Sequence, residues 1–70
     1  MKGEMQMAIH LKAARVNAGL TQEMVVERLG INKNTLISYE KYRTMPDIET
    51  ARKLAELYGT TVDNIIWSAN

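Results

Sequence analysis

Seventy residues make one domain with a small core, marginally stable unless its helices are well capped or a second copy associates. There is no cysteine and a single histidine. Disulfides and thiolate metal sites are therefore excluded, and no His/Asp/Glu set has metal-ligand spacing. Net charge is +1, a weak pull on any polyanion, but its distribution is uneven. Residues 1–31 carry Lys2, Lys12, Arg15 and Arg28 against Glu4, Glu23 and Glu27. Residues 32–46 carry Lys33, Lys41 and Arg43 against Glu40 alone. Residues 47–70 carry Arg52 and Lys53 against Asp47, Glu49, Glu56 and Asp63. A basic middle followed by an acidic tail suits a partner docking on the middle segment, although solvated helix faces alone also produce such a pattern.

No apolar run reaches membrane-spanning length, and the start lacks an apolar core of signal-peptide length. The expectation is a soluble, cytoplasmic protein with no membrane contact. Residues 1–6 read as disordered and the whole chain, 1–70, as a single domain.

Glycines punctuate the chain. Gly19-Leu20-Thr21, Gly30-Ile31-Asn32 and Gly59-Thr60-Thr61 share one spacing. Glycine ends a helix cheaply in the left-handed conformation, and Thr or Asn can cap the next one. Pro46-Asp47 marks a fourth boundary, with Glu49 in the following first turn, where negative charge is favoured. These marks predict an all-α fold of five helices, at about 7–18, 22–29, 33–42, 48–58 and 62–68. No segment alternates like a strand.

Each predicted helix has an apolar face. The first offers Met7, Leu11 and Ala14, and the second Val25, Val26 and Leu29. The third offers Leu36 and Tyr39, and the fourth Ile48, Ala51, Leu54, Ala55 and Tyr58 at helical spacing. The fifth offers Val62, Ile65, Ile66 and Trp67, more than a two-turn helix can bury in one small domain. The five methionines read as core filler and N-terminal tail, and His10 as an ordinary surface or half-buried residue.

The second and third helices are short, and Gly30-Ile31-Asn32 joins them tightly. Such a turn forces a steep crossing and leaves the later helix projecting, a shape that fits the DNA major groove. The stretch Leu20-Thr21-Gln22-Glu23, Leu29-Gly30-Ile31-Asn32, Thr35-Leu36, Tyr39-Glu40 and Pro46-Asp47-Ile48-Glu49-Thr50 resembles the lambda-repressor-like (Cro-type, XRE-type) helix-turn-helix family of phage and bacterial transcriptional regulators. Leu54 to Gly59 and Val62 to Ile65 are similar to the family's last two helices, so the resemblance spans about residues 8–66. Three positions depart from the pattern. Val26 stands where the family usually has a small residue, Tyr42 where it usually has Gly, and Ile37 where it often has a polar residue.

On the third helix, Lys33, Asn34, Ile37, Ser38 and Lys41 lie opposite Leu36 and Tyr39. Lys33 can donate to guanine O6/N7, Asn34 can pair with adenine, Ser38 can bond several base edges, and Ile37 suits a thymine methyl. The resemblance implies base contacts at Lys33, Asn34, Ile37 and Ser38. The alternative for each is a plain solvent-facing residue. Gln22, first in its helix, together with Lys41, Arg43 and Thr44, reads as a phosphate-binding set. Arg15 and Glu40 resemble the family's ion pair between the first and third helices, a structural role. Ile65, Ile66 and Trp67 are candidates for a homodimer contact, since aromatic anchors are enriched at interfaces. The expectation is a chain without the separate C-terminal dimerisation domain of larger family members, pairing instead through residues 62–70.

The expected function is a repressor that reads an inverted repeat in double-stranded DNA as a homodimer. An antitoxin-like protein-interaction module is the alternative. An enzyme is not expected: no nucleophile sits beside a base, and no Gly-rich phosphate loop, cofactor motif or small-molecule site is evident.

Overall fold

In chain order the fold runs β1 (Ile9–His10), α1 (Leu11–Asn17), α2 (Gln22–Leu29), α3 (Lys33–Glu40), α4 (Ile48–Leu57), a 3₁₀ turn (Val62–Asn64) and β2 (Ile65–Ile66). The structure is a computed structural model describing residues 8–69. The expected disorder of residues 1–6 and the expected core position of Met7 lie outside the described residues.

Two of the expected caps are made by side chains. Thr21 Oγ1 accepts from Met24 N at 3.1 Å, opening α2. Asp47 Oδ1 accepts from Thr50 N at 2.9 Å, opening α4. Asn32 occupies the cap position of α3 with extended backbone, but its side chain makes no cap bond.

Three helices close on one hydrogen-bond pattern. After α1, Leu20 N reaches Arg15 O and Gly19 N reaches Val16 O. After α4, Thr60 N reaches Ala55 O and Gly59 N reaches Glu56 O. After α3, Arg43 N reaches Ser38 O and Tyr42 N reaches Tyr39 O. This is a Schellman closure, which needs one left-handed residue. Gly19 and Gly59 supply it with φ of +75° each, and Tyr42 supplies it with φ of +62°. Tyr42 thus adopts the glycine conformation despite its Cβ.

The core gathers one face of each α-helix together with Ile65 of β2. Leu11, Val25, Leu36 and Leu54 are fully buried, with Ala14, Ala55, Tyr58 and Ile65 around them. Burying a leucine or valine contributes roughly 1.5–3 kcal/mol each. Two methionines expected as filler are at the surface: Met24 and Met45 are 46% and 64% exposed. The core is already closed by branched side chains.

Two expectations about the ends are corrected. The first helix begins at Leu11, not near residue 7, and no fifth α-helix forms among the described residues. Ile9 and His10 instead pair in parallel with Ile65 and Ile66, so the fold is mostly helical rather than all-α. The turn at Val62–Asn64 ends in extended backbone at Ile65, φ −118° and ψ 139°. Consecutive β-branched residues lose side-chain freedom in a helix and fit a strand. A short apolar run cannot be told from a buried helix segment by periodicity alone.

Candidate nucleic-acid interface

The projecting helix is held by a buried polar clamp. Arg15 Nε donates to Glu40 Oε2 at 2.7 Å and Nη2 to Oε1 at 3.4 Å. Arg15 Nη1 donates to Leu20 O at 2.9 Å, and Gln22 Nε2 donates to Glu40 Oε1 at 3.0 Å. The two charged side chains are only 9% and 4% exposed. One guanidinium therefore ties α1 to the α1–α2 connection and to the last residue of α3, and Gln22 adds the start of α2. Bidentate geometry of this kind fixes orientation as well as charge. The Gln22 carboxamide, expected at a phosphate, is engaged with Glu40 in the free chain.

Gly30 (φ +68°) ends α2, its N–H bonded to Val26 O at 2.8 Å. Two residues later α3 starts at Lys33. Leu36 is buried and Tyr39 packs against the core, which turns the opposite face outward. Lys33 and Asn34 on that face are exposed, and Ile37 and Ser38 are half-buried. Lys41, Arg43 and Thr44 follow on exposed backbone past the helix end. The expected base-reading set and, of the phosphate set, Lys41, Arg43 and Thr44 thus lie along one helix and its exit, whereas Gln22 stands apart at the start of α2.

Charge at this surface is not evenly free. Glu40 is spent on Arg15 inside the domain, leaving the cations of α3 and its exit outside. Lys33 Nζ, however, bonds Glu23 Oε2 at 2.6 Å, with side chains 50% and 68% exposed. The hydrogen bond from Lys33, then the backbone and the Lys33 charge, lower the Glu23 carboxyl below its ordinary value.

Two further contacts carry no signal in the sequence. The Tyr42 hydroxyl is hydrogen-bonded to His10 Nδ1, and the rings lie 5.6 Å apart. Glu23 and Lys33 meet across the turn. Neither pair has the short helical spacing that links side chains on a single helix.

The expected dimer residues divide. Ile65 is 4% exposed and belongs to the core, so its side chain offers nothing to a partner. Trp67 packs against the core and donates Nε1–H to Val62 O at 2.9 Å. Ile66 is half-buried on β2. Among the described residues no group of three His, Cys, Asp or Glu could hold a metal, and no helix is long and apolar enough to cross a membrane.

Two short helices joined by a glycine turn, the second with an outward face and with Lys41 and Arg43 just past its end, define a helix-turn-helix domain. A helix-turn-helix family model matches residues 11–65. The cryptic phage CTXphi transcriptional repressor RstR of Vibrio cholerae is 38% identical over 56 residues, covering 80% of this chain and 50% of its own. The HTH-type transcriptional regulator ImmR of Bacillus subtilis is 39% identical over 62 residues, covering 89% and 49%. This chain therefore spans about half the length of these curated relatives. An uncharacterized HTH-type transcriptional regulator of Methanocaldococcus jannaschii is 34% identical over 55 residues, covering 79% of this chain and 83% of its own. No solved structure matches the chain. The chain belongs to the lambda-repressor-like, XRE-type helix-turn-helix family.

Proposed function

We propose that this chain is the DNA-reading part of a cytoplasmic transcriptional repressor that binds an inverted-repeat operator as a homodimer. The observation that carries the reading is the outward face of α3, held rigid by the buried Arg15–Glu40–Gln22 clamp. Lys33, Asn34, Ile37 and Ser38 read base edges from the major groove, while Lys41, Arg43 and Thr44 hold phosphates. Gln22 joins the phosphate set through its place at the start of α2. Two subunits place their α3 helices in major grooves about one helical turn apart. Ile66 and Trp67 flank the paired surface, and Ile65 supports it from within.

Selection from a random duplex library tests the reading, with the winner's binding followed across salt. A palindromic winner with log K falling against log salt at a slope of roughly −5 to −8 is expected for a dimer making several phosphate contacts. Lys33→Ala weakens binding to the winner by about 1–3 kcal/mol and relaxes one base position, whereas Lys41→Ala weakens all sequences alike. Failure to enrich any sequence would sink the proposal.

A further inference from the structure

Lys33 is not free to meet DNA. Its ammonium lies 2.6 Å from Glu23 Oε2 on the neighbouring helix. The partners are held unequally. Glu23 stands in the first turn of α2, where the positive end of the helix dipole favours a carboxylate. Lys33 is the first residue of α3, where the same dipole disfavours a cation. The carboxylate is thus anchored by its own helix, and the lysine is the partner that moves.

As a surface ion pair it adds little to folding. Its consequence appears when a polyanion approaches. A carboxylate beside the reading face repels phosphates of any sequence, while the lysine it holds is already neutralised. Only an acceptor edge that replaces Glu23 as the ammonium's partner offsets the loss. Guanine presents two such acceptors, O6 and N7.

We propose that Glu23 is a specificity-determining residue: by holding Lys33, it suppresses binding to arbitrary DNA and admits sites that place a guanine edge against Lys33. This rests on the DNA-reading function proposed above. Discrimination then comes from an unfavourable element as well as from a favourable contact.

Glu23→Gln keeps the side chain's size and removes its charge. The comparison is binding of wild type and Glu23→Gln to the selected duplex and to random duplex across salt. The variant is expected to bind random DNA about tenfold more tightly at low salt, its salt slope steeper by about 0.9 per subunit as Lys33 is released to a phosphate. Affinity for the selected duplex changes less, so the specificity ratio falls. In a Lys33→Ala background the change in salt slope disappears, and only the smaller gain from removing the carboxylate's own repulsion of phosphates remains. An equal gain on both duplexes, or a steeper salt slope and an undiminished gain without Lys33, overturns the proposal. So does a loss confined to the selected duplex, which would make Glu23 itself a base contact. A wild type that selects no sequence removes the underlying function and this inference with it. The pair itself is checked without DNA, since Lys33→Ala must raise the pH at which the Glu23 carboxyl titrates by NMR. No rise overturns the proposal whatever the DNA result.

Discussion

The hydroxyl of Tyr42 is hydrogen-bonded to Nδ1 of His10, joining the exit of the projecting helix to the residue that precedes α1. Tyr42 does at the end of α3 what glycines do after α1 and α4, with φ of +62°. A left-handed residue with a Cβ costs roughly 1–2 kcal/mol, and the contact with His10 offsets part of that cost. Tyr42→Gly should therefore stabilise a His10→Ala chain by about 1 kcal/mol, and the wild-type chain by less, because there it also removes a hydrogen bond. Urea denaturation of the four chains measures the difference. Equal gains in both backgrounds would mean that His10 does not support Tyr42.

Arg15→Ala leaves the Glu40 carboxylate buried beside Gln22 with its main partner gone. The expected cost is about 3–5 kcal/mol, a large part of the stability of so small a domain. Replacing both partners with apolar residues, Arg15→Met with Glu40→Leu, should cost far less than either alanine change. Denaturant midpoints for the single and double changes test this. An additive double change would show that the two charges are independent.

Tyr58 is 8% exposed, and its hydroxyl has no hydrogen-bond partner among the described residues. Burial, then the nearby Glu40 charge, push its ionisation well above the ordinary value of 10.0. The unfolded chain therefore releases this proton first as pH rises. The contribution of Tyr58 is fully present below about pH 10 and is lost above it, the folding constant falling up to about tenfold per pH unit. Tyr58→Phe should remove that dependence and stabilise the chain by about 1 kcal/mol at neutral pH, since an unpartnered buried hydroxyl is lost. Melting curves from pH 8 to 11 decide it. A destabilised Phe variant would mean that the hydroxyl has a partner.

Asp47 caps α4, and its hydrogen bond from Thr50 lowers its carboxyl below the ordinary value of 3.8. A depressed carboxyl contributes stability above its unfolded value, and this is lost as pH falls through the folded one. Asp47→Ala should lower the melting midpoint by roughly a few degrees at pH 7. Asp47→Asn should keep the cap, because Asn is an equally good N-cap, and lose the acid dependence below about pH 4. An Asn variant as unstable as the Ala one would show that charge, not capping, matters.

Local rules were enough for α2, α3 and α4. Thr21, Gly30 and Asp47 are signals read within one turn of the chain, and Leu36 with Tyr39 reveals the inward face of α3 by spacing alone. The outward face of α3 was legible for the same reason, because it is whatever the core does not take. The Arg15–Glu40 contact was legible only through family resemblance, being 25 residues apart in sequence.

Tertiary structure decided what depends on distant partners. Ile65-Ile66 forms a strand rather than a helix because Ile9-His10 is there to pair with it, and nothing near residue 65 announces that. Ile65 was thereby drawn into the core and Trp67 fastened to Val62. Tyr42 can hold a glycine's backbone because His10 lies within reach. Lys33 meets Glu23 because the turn at Gly30 crosses their two helices. Propensity, capping and periodicity act over a few residues and can be read from the chain. Pairing between remote segments depends on where the packed core places them, and the core is a property of the whole fold.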